Sequence, residues 1–239
     1  MTRDVVLLNG WGMTAGVWQA LLDVLPADRA WHRIDLHALT GDEVGDLARA
    51  AAARAPRECD IVGWSLGAQI ALQWAHERPA QVRRLVLLAA TPCFVVRPGW
   101  PAAMDARTFA DFESALRSAA TQALRRFASL QANGDAHMTR VARELRAALS
   151  NDEDATHALQ AGLACLRNTD LRAMASAIRQ PVCLIHGRED RLAPLAAAEF
   201  LQRALPASRL HALTATAHAP HVSNAPAVAR WITEFLNER

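Results

Sequence analysis

In Asp60-Ile61-Val62-Gly63-Trp64-Ser65-Leu66-Gly67-Ala68 a short apolar run ends in G-W-S-L-G, and an amphipathic helical pattern follows directly. This arrangement puts a serine on a tight turn between a buried strand and a helix. A serine held there has a strained backbone, so the positions two before and two after it must carry almost no side chain. Gly63 and Gly67 meet that requirement and let strand and helix approach while the hydroxyl stays exposed. The helix N-terminus behind the serine favours negative charge developing in front of it. G-x-S-x-G alone is a common pattern; the strand before it and the helix after it give it weight.

Working outward, strand and helix patterns alternate on both sides of this turn. Val5-Val6-Leu7-Leu8 reads as a buried strand and Asn9-Gly10-Trp11-Gly12 as the loop after it. Thr14 is the expected N-cap of a helix through Leu25, closed by Pro26. Trp31 to Leu36 reads as a strand, Glu43 to Arg54 as a helix, and Arg84 to Ala90 as another buried strand. From about Phe94 to Ile178 the alternation stops. Phe109 to Gln131, Met138 to Leu149 and Ala155 to Ile178 carry helical spacing, with Asn133-Gly134-Asp135 as a break. Ser150 and Glu153 fit a capping box for the last of these segments. Strands at Pro181–Ile185 and Arg209–Leu213 follow, with helices from Pro194 to Leu205 and from Pro226 to Leu236. The pattern predicts an α/β fold with a mostly parallel, doubly wound sheet: a core of residues 1–93 and 179–239, and an all-helical lid over 94–178.

The 239 residues suit one such domain, and a hydrophobic share of 51% argues against global disorder. A net charge of +2 gives no whole-protein argument for nucleic acid. The chain has no lysine and no tyrosine, which removes Schiff-base chemistry and tyrosine acid–base catalysis from consideration. Cys59, Cys93, Cys165 and Cys183 are widely spaced without a C-x-x-C, as expected of buried free thiols in a reducing compartment. No signal-peptide core and no uninterrupted apolar stretch of membrane-spanning length is present, so the expectation is a cytoplasmic protein without a membrane partner. A monomer without metal or organic cofactor is the simplest expectation.

A serine hydroxyl is a weak nucleophile at neutral pH, so it needs a base and a group to orient that base. Behind a turn of this kind the order along the chain is serine, acid, histidine. The acid is expected in the loop His186 to Pro194, where Asp190 is preferred over its neighbour Glu189. The histidine is expected after the last strand, in Ala217-His218-Ala219-Pro220-His221. His218, nearer the strand end, is preferred over His221, and His186 reads as structural. Charge developing on a substrate oxygen needs preorganised backbone donors. The N–H of Leu66 is one candidate, and the N–H of Trp11, between Gly10 and Gly12, is the second.

The stretches L-L-N-G-W-G-M, G-W-S-L-G, T-P-C-F, R-F-A-S-L-Q, G-R-E-D-R-L-A-P and A-H-A-P span nearly the whole chain. In them the sequence resembles the α/β-hydrolase superfamily and, within it, the BioH-type carboxylesterases of biotin synthesis. That resemblance implies hydrolysis of a methyl ester carried on acyl carrier protein, with Ser65, Asp190 and His218 as the triad and Trp11 and Leu66 flanking the oxyanion. It also implies that Phe127, Ala128, Ser129, Leu130 and Gln131 line the acyl pocket. A lactonase, thioesterase or carbon–carbon hydrolase would keep the same triad, and a ligand-binding receptor could carry it idle. The sequence departs from the family in three places. The glycine-rich D-x-P-G-x-G-x-S loop is absent after Asp35, the first hairpin is missing, and Ala68 replaces a glycine. Between residues 117 and 146 the chain carries Arg117, Arg125, Arg126, Arg140, Arg143 and Arg146 against only Asp135 and Glu144. By the resemblance, Arg125, Arg126, Arg140 and Arg143 would face an acidic carrier protein; the plainer alternative is a solvated helix face.

Overall fold

A computed structural model describes residues 4–150 and 156–238. Six strands form one sheet: β1 (Asp4–Leu8), β2 (Ala30–Ile34), β3 (Cys59–Trp64), β4 (Val82–Leu88), β5 (Val182–Gly187) and β6 (Ser208–Leu213), in the order β2-β1-β3-β4-β5-β6. Every pairing is parallel. The central strands are continuous apolar runs because helices cover both faces; β3 is buried at all of its positions. The chain leaves β1 toward β2 and then returns to the other side of β1 to lay down β3. That reversal opens a crevice at the carboxyl ends of β1 and β3, where ligands of open α/β sheets bind.

The helices pack as their apolar faces require. α1 (Gln19–Leu22), α2 (Val44–Arg54) and α3 (Leu66–Glu77) precede β4; α4 (Ala106–Ser118), α5 (Ala120–Gln131), α6 (Met138–Ala147) and α7 (Thr156–Asn168) lie between β4 and β5. α8 (Leu195–Ala204), α9 (Pro220–Ser223) and α10 (Ala225–Asn237) complete the chain. The four cysteines are buried free thiols, and burial pushes Cys59 and Cys165 up to about 12 and Cys183 to about 11. No helix of the described residues is long and apolar enough to cross a membrane.

Three local expectations change. The helix expected from Thr14 to Leu25 is a 3-10 turn, Ala15–Trp18, running into the short α1. Thr14 does not cap it: its hydroxyl donates to the Ala148 carbonyl, while Asp35 accepts the Ala15 N–H. The helix expected over Phe109–Gln131 breaks at Ala119 into α4 and α5. Ser118 donates its hydroxyl back to the carbonyls of Ser114 and Ala115, a local competitor of the helix ladder. The break lets Phe109 and Leu116 of α4 and Phe127 of α5 all turn inward. The helical pattern over Ala155–Ile178 is α7, then a turn held by the Leu171 N–H on Pro92, then a 3-10 turn at Ala175–Ala177. Glu153 of the expected capping box lies outside the described residues.

Candidate active site

Ser65 joins β3 to α3 with φ 55° and ψ −115°, a conformation that L-residues rarely adopt. Its N–H donates to the Leu88 carbonyl of β4 at 3.0 Å. The flanking glycines are required by close approach. A Cβ on Gly63 would stand 2.5 Å from the Gly67 oxygen, and one on Gly67 would stand 2.2 Å from the Leu8 oxygen. β1, β3 and α3 therefore converge on this serine only because both positions lack a side chain.

The Ser65 hydroxyl lies 2.9 Å from His218 Nε2, and His218 Nδ1 lies 2.7 Å from Asp190 Oδ2. Asp190 Oδ1 accepts the N–H groups of Leu192 and Ala193, both at 2.9 Å. Burial raises the Asp190 pKa, but the charge and hydrogen bond of His218, with a further hydrogen bond from His186, hold the carboxyl well below the usual carboxylate range. An ionised Asp190 fixes the proton on His218 Nδ1, which leaves Nε2 free to accept from the serine. Ser65 is 8% exposed and His218 1%, so the pair is nearly closed to solvent. Trp64 Nε1 adds a hydrogen bond to the His218 carbonyl at 2.8 Å.

Of the rival residues, Glu189 is exposed. His221 is fully buried between Trp18 and Trp64 with neither ring nitrogen partnered; burial and then the neighbouring His218 depress it to about 3. His186 places Nε2 2.7 Å from the Ala193 carbonyl and 3.4 Å from Asp190 Oδ2, so it supports the acid loop as well as the strand end.

The backbone N–H groups of Trp11 and Leu66 find no protein acceptor among the described residues. The Asn9 side chain bonds the Met13 carbonyl and closes the loop that presents Trp11. The Trp11 indole donates to the Leu159 carbonyl of α7 at 2.8 Å and meets Phe112 and Phe127 edge-on at 5.5 and 5.1 Å. Gly162 makes room for it, since a Cβ there would stand 2.6 Å from Trp11 Cδ1. Nothing in the sequence marked Gly162 out, because a glycine inside a helical pattern names no partner.

Beside Trp11, an apolar cavity is lined by Phe94, Phe109, Phe112, Phe127, Leu130 and Leu163, among others. Of the five residues expected at an acyl pocket, Phe127 and Leu130 face it. Ala128 is fully buried, and Ser129 donates to the Arg125 carbonyl and accepts from Arg146. Gln131 is buried with its amide nitrogen unpartnered, and its carbonyl takes the His218 N–H at 3.1 Å. The short segment after Asp35 folds as a 3-10 turn, Leu36–Ala38, and closes against α7 on the other side of Trp11. Arg125, Arg126 and Arg143 are exposed, whereas Arg140 donates to the carbonyls of Val222 and Ser223 at 2.9 and 2.7 Å. Among the described residues no cluster of three His, Cys, Asp or Glu side chains could hold a metal ion.

A parallel sheet of this order, a strained serine at its central turn, and an acid and a histidine delivered by the loops after β5 and β6 together define the α/β-hydrolase class. The model of the Alpha/beta hydrolase family matches residues 5–231. The esterase from Exiguobacterium antarcticum superposes with a TM-score of 0.83 at 20% identity, covering 99% of this chain and 92% of that one. Several curated relatives carry the name pimeloyl-[acyl-carrier protein] methyl ester esterase. That of Aromatoleum aromaticum is 42% identical, covering 92% of this chain and 93% of its own. That of Nitrosomonas europaea is 39% identical, covering 92% and 90%. The chain belongs to the alpha/beta hydrolase family and, within it, to the group of these methyl ester esterases.

Proposed function

We propose that this protein hydrolyses the methyl ester of a pimeloyl group carried on acyl carrier protein, with Ser65 as nucleophile, His218 as base and Asp190 as its orienting carboxylate. The observation that carries the reading is the unbroken chain of hydrogen bonds from Asp190 through His218 to a serine in a strained backbone. The names of the curated relatives support the substrate. Ser65 Oγ attacks the ester carbonyl as His218 Nε2 takes its proton. The N–H groups of Leu66 and Trp11 receive the oxyanion. Collapse breaks the bond to the methoxy group, which leaves as methanol with the proton from His218. Water, deprotonated by the same nitrogen, then releases the acid and restores the serine. Asp190 keeps the imidazole in one tautomer and offsets its charge in both steps.

In this proposal the helices over 94–178 form a lid on the core of 1–93 and 179–239, and the apolar cavity at Phe127 and Leu130 takes the methylene chain. Arg125, Arg126 and Arg143 would meet the acidic carrier. The experiment is turnover of the carrier-linked methyl ester, with labelling by a serine-directed phosphonate and mapping of the labelled peptide. Ser65→Ala, Asp190→Ala and His218→Ala are each expected to lower kcat by several orders of magnitude, with losses that do not add. Label on a residue other than Ser65, or a Ser65→Ala variant that turns over normally, overturns the reading. Equal turnover of carrier-linked and unrelated short-chain esters would keep the chemistry and replace the substrate.

A further inference from the structure

The loop that delivers His218 is held from outside by the corner between α5 and α6. The His218 N–H donates to the Gln131 carbonyl at 3.1 Å, and the Ala136 N–H donates to the Ala215 carbonyl at 2.9 Å. Between them the Ala217 N–H donates to Asp135 Oδ2 at 3.1 Å. The other carboxylate oxygen, Oδ1, accepts the His137 N–H at 2.7 Å, just ahead of α6. Asp135 is 7% exposed. Its two oxygens thus serve two chain segments, which an asparagine with a single carbonyl oxygen could not do. The gripped loop is itself strained, with Ala215 at φ 53°. The corner also reaches the acid: a Cβ on Gly134, at φ +102°, would stand 3.0 Å from the Glu189 oxygen, one residue before Asp190. Farther along, Arg140 holds the carbonyls of Val222 and Ser223, beyond His218.

We propose that Asp135 is a positioning residue for the histidine base: through the Ala217 N–H it fixes the backbone from which His218 reaches Ser65. The inference rests on the proposed Ser65–His218–Asp190 chemistry. A buried carboxylate costs free energy unless its charge is met by donors, and here one of the two donors belongs to the loop that must not move. A displacement of about 1 Å at a reacting group can cost about 10²-fold in rate.

Asp135→Ser separates this role from a local one. A serine hydroxyl can still accept the His137 N–H two residues on, as in a local turn, but is too short to span to Ala217. The expected result on a short-chain nitrophenyl ester is a kcat lower by about 10²-fold with KM within about threefold, since Asp135 does not line the apolar cavity. Phosphonate labelling of Ser65 should slow by a similar factor. Asp135→Asn, which can offer its one oxygen to Ala217, should recover much of the rate. A folded Asp135→Ser enzyme with parental kcat and labelling rate overturns the proposal, as does a loss confined to KM. Should that variant not fold, Asp135→Ala, assayed well below its own Tm, takes its place with the same two outcomes. Ser65→Ala is measured alongside: an active Ser65→Ala enzyme refutes the serine chemistry itself, whereas an inactive one with a fully active Asp135→Ser refutes only the positioning role.

Discussion

Trp11 acts through two different nitrogen atoms. In the proposed mechanism its backbone N–H receives the oxyanion, while its indole N–H is committed to the Leu159 carbonyl of α7. The two can be separated by substitution. Trp11→Phe keeps the backbone donor and an aromatic edge toward Phe112 and Phe127 but deletes one buried hydrogen bond, worth about 1 kcal/mol. Its kcat should stay within roughly tenfold of the parent, against the ~10²–10³ that follows loss of an oxyanion donor. A collapse of kcat with unchanged KM and an intact fold would mean that the indole itself takes part. Gly162→Ala approaches the same residue from α7. Its methyl group would lie 2.6 Å from Trp11 Cδ1, so the indole and the loop behind it must shift. That variant is expected to lose more kcat than Trp11→Phe; parental rates would show that α7 yields instead. At this scale the sequence was legible where chemistry dictates spacing. Ser65, Gly63, Gly67, Asp190 and His218 stand in a pattern that strain and proton transfer impose. Asp135 and Gly162 do not, because their importance lies in contacts with residues far away in the chain.

Arg140, Arg143 and Arg146 all lie on α6, but helical spacing carries no information about what a face meets. Arg140 meets the carbonyls at the end of α9 and Arg146 meets Ser129, while Arg125, Arg126 and Arg143 stand exposed. The arginines therefore divide into an exposed set, which the proposed function assigns to the carrier, and a structural one. Replacing Arg125, Arg126 and Arg143 by alanine should lower kcat/KM for the carrier-linked ester and leave a free methyl ester nearly unchanged. Added salt should reproduce that selective loss in the parent, because exposed charges are screened within about 10 Å at ~0.1 M. Equal losses on both substrates would return these arginines to a solvated surface. Arg140→Ala, by contrast, strips two carbonyls of their donor and should lower Tm and affect both substrates alike. The Ala119 break between α4 and α5 was illegible for a related reason. Neither proline nor glycine marks it, and the gain comes from two apolar faces turning into one cavity.

Over the whole molecule, the loops after β5 and β6 concentrate buried ionisable groups whose protonation links folding to pH. His221 is sandwiched between Trp18 and Trp64, depressed to about 3 by burial and by His218, and neither of its ring nitrogens is partnered. In the unfolded chain its pKa returns to about 6.5. Between those two values the unfolded chain binds a proton that the folded one refuses, so stability rises with pH there and is lost as pH falls. Above about pH 6.5 the residue contributes no slope. Asp190 works in a lower window. Its folded pKa is depressed, so its contribution is complete above the unfolded value of about 3.9 and drains away only below it. The two windows can therefore be distinguished by titration. His221→Leu keeps roughly the volume and removes the basic group without abandoning any hydrogen bond, as the imidazole makes none. Parent Tm should be nearly level from pH 8 to 7 and fall by several degrees between about pH 6.5 and 4, since each kcal/mol moves a domain of this size by ~2–4 °C. The His221→Leu curve should be flatter across that window and rejoin the parent's slope only below about pH 3, where the imidazole is protonated in folded and unfolded chains alike and Asp190 remains. Because the His221 ring makes no hydrogen bond to the triad, kcat at pH 7.5 should change little. Parallel Tm curves for the two proteins between pH 6.5 and 4 would show that His221 is protonated in the fold and that the ring sandwich is not the source of acid sensitivity.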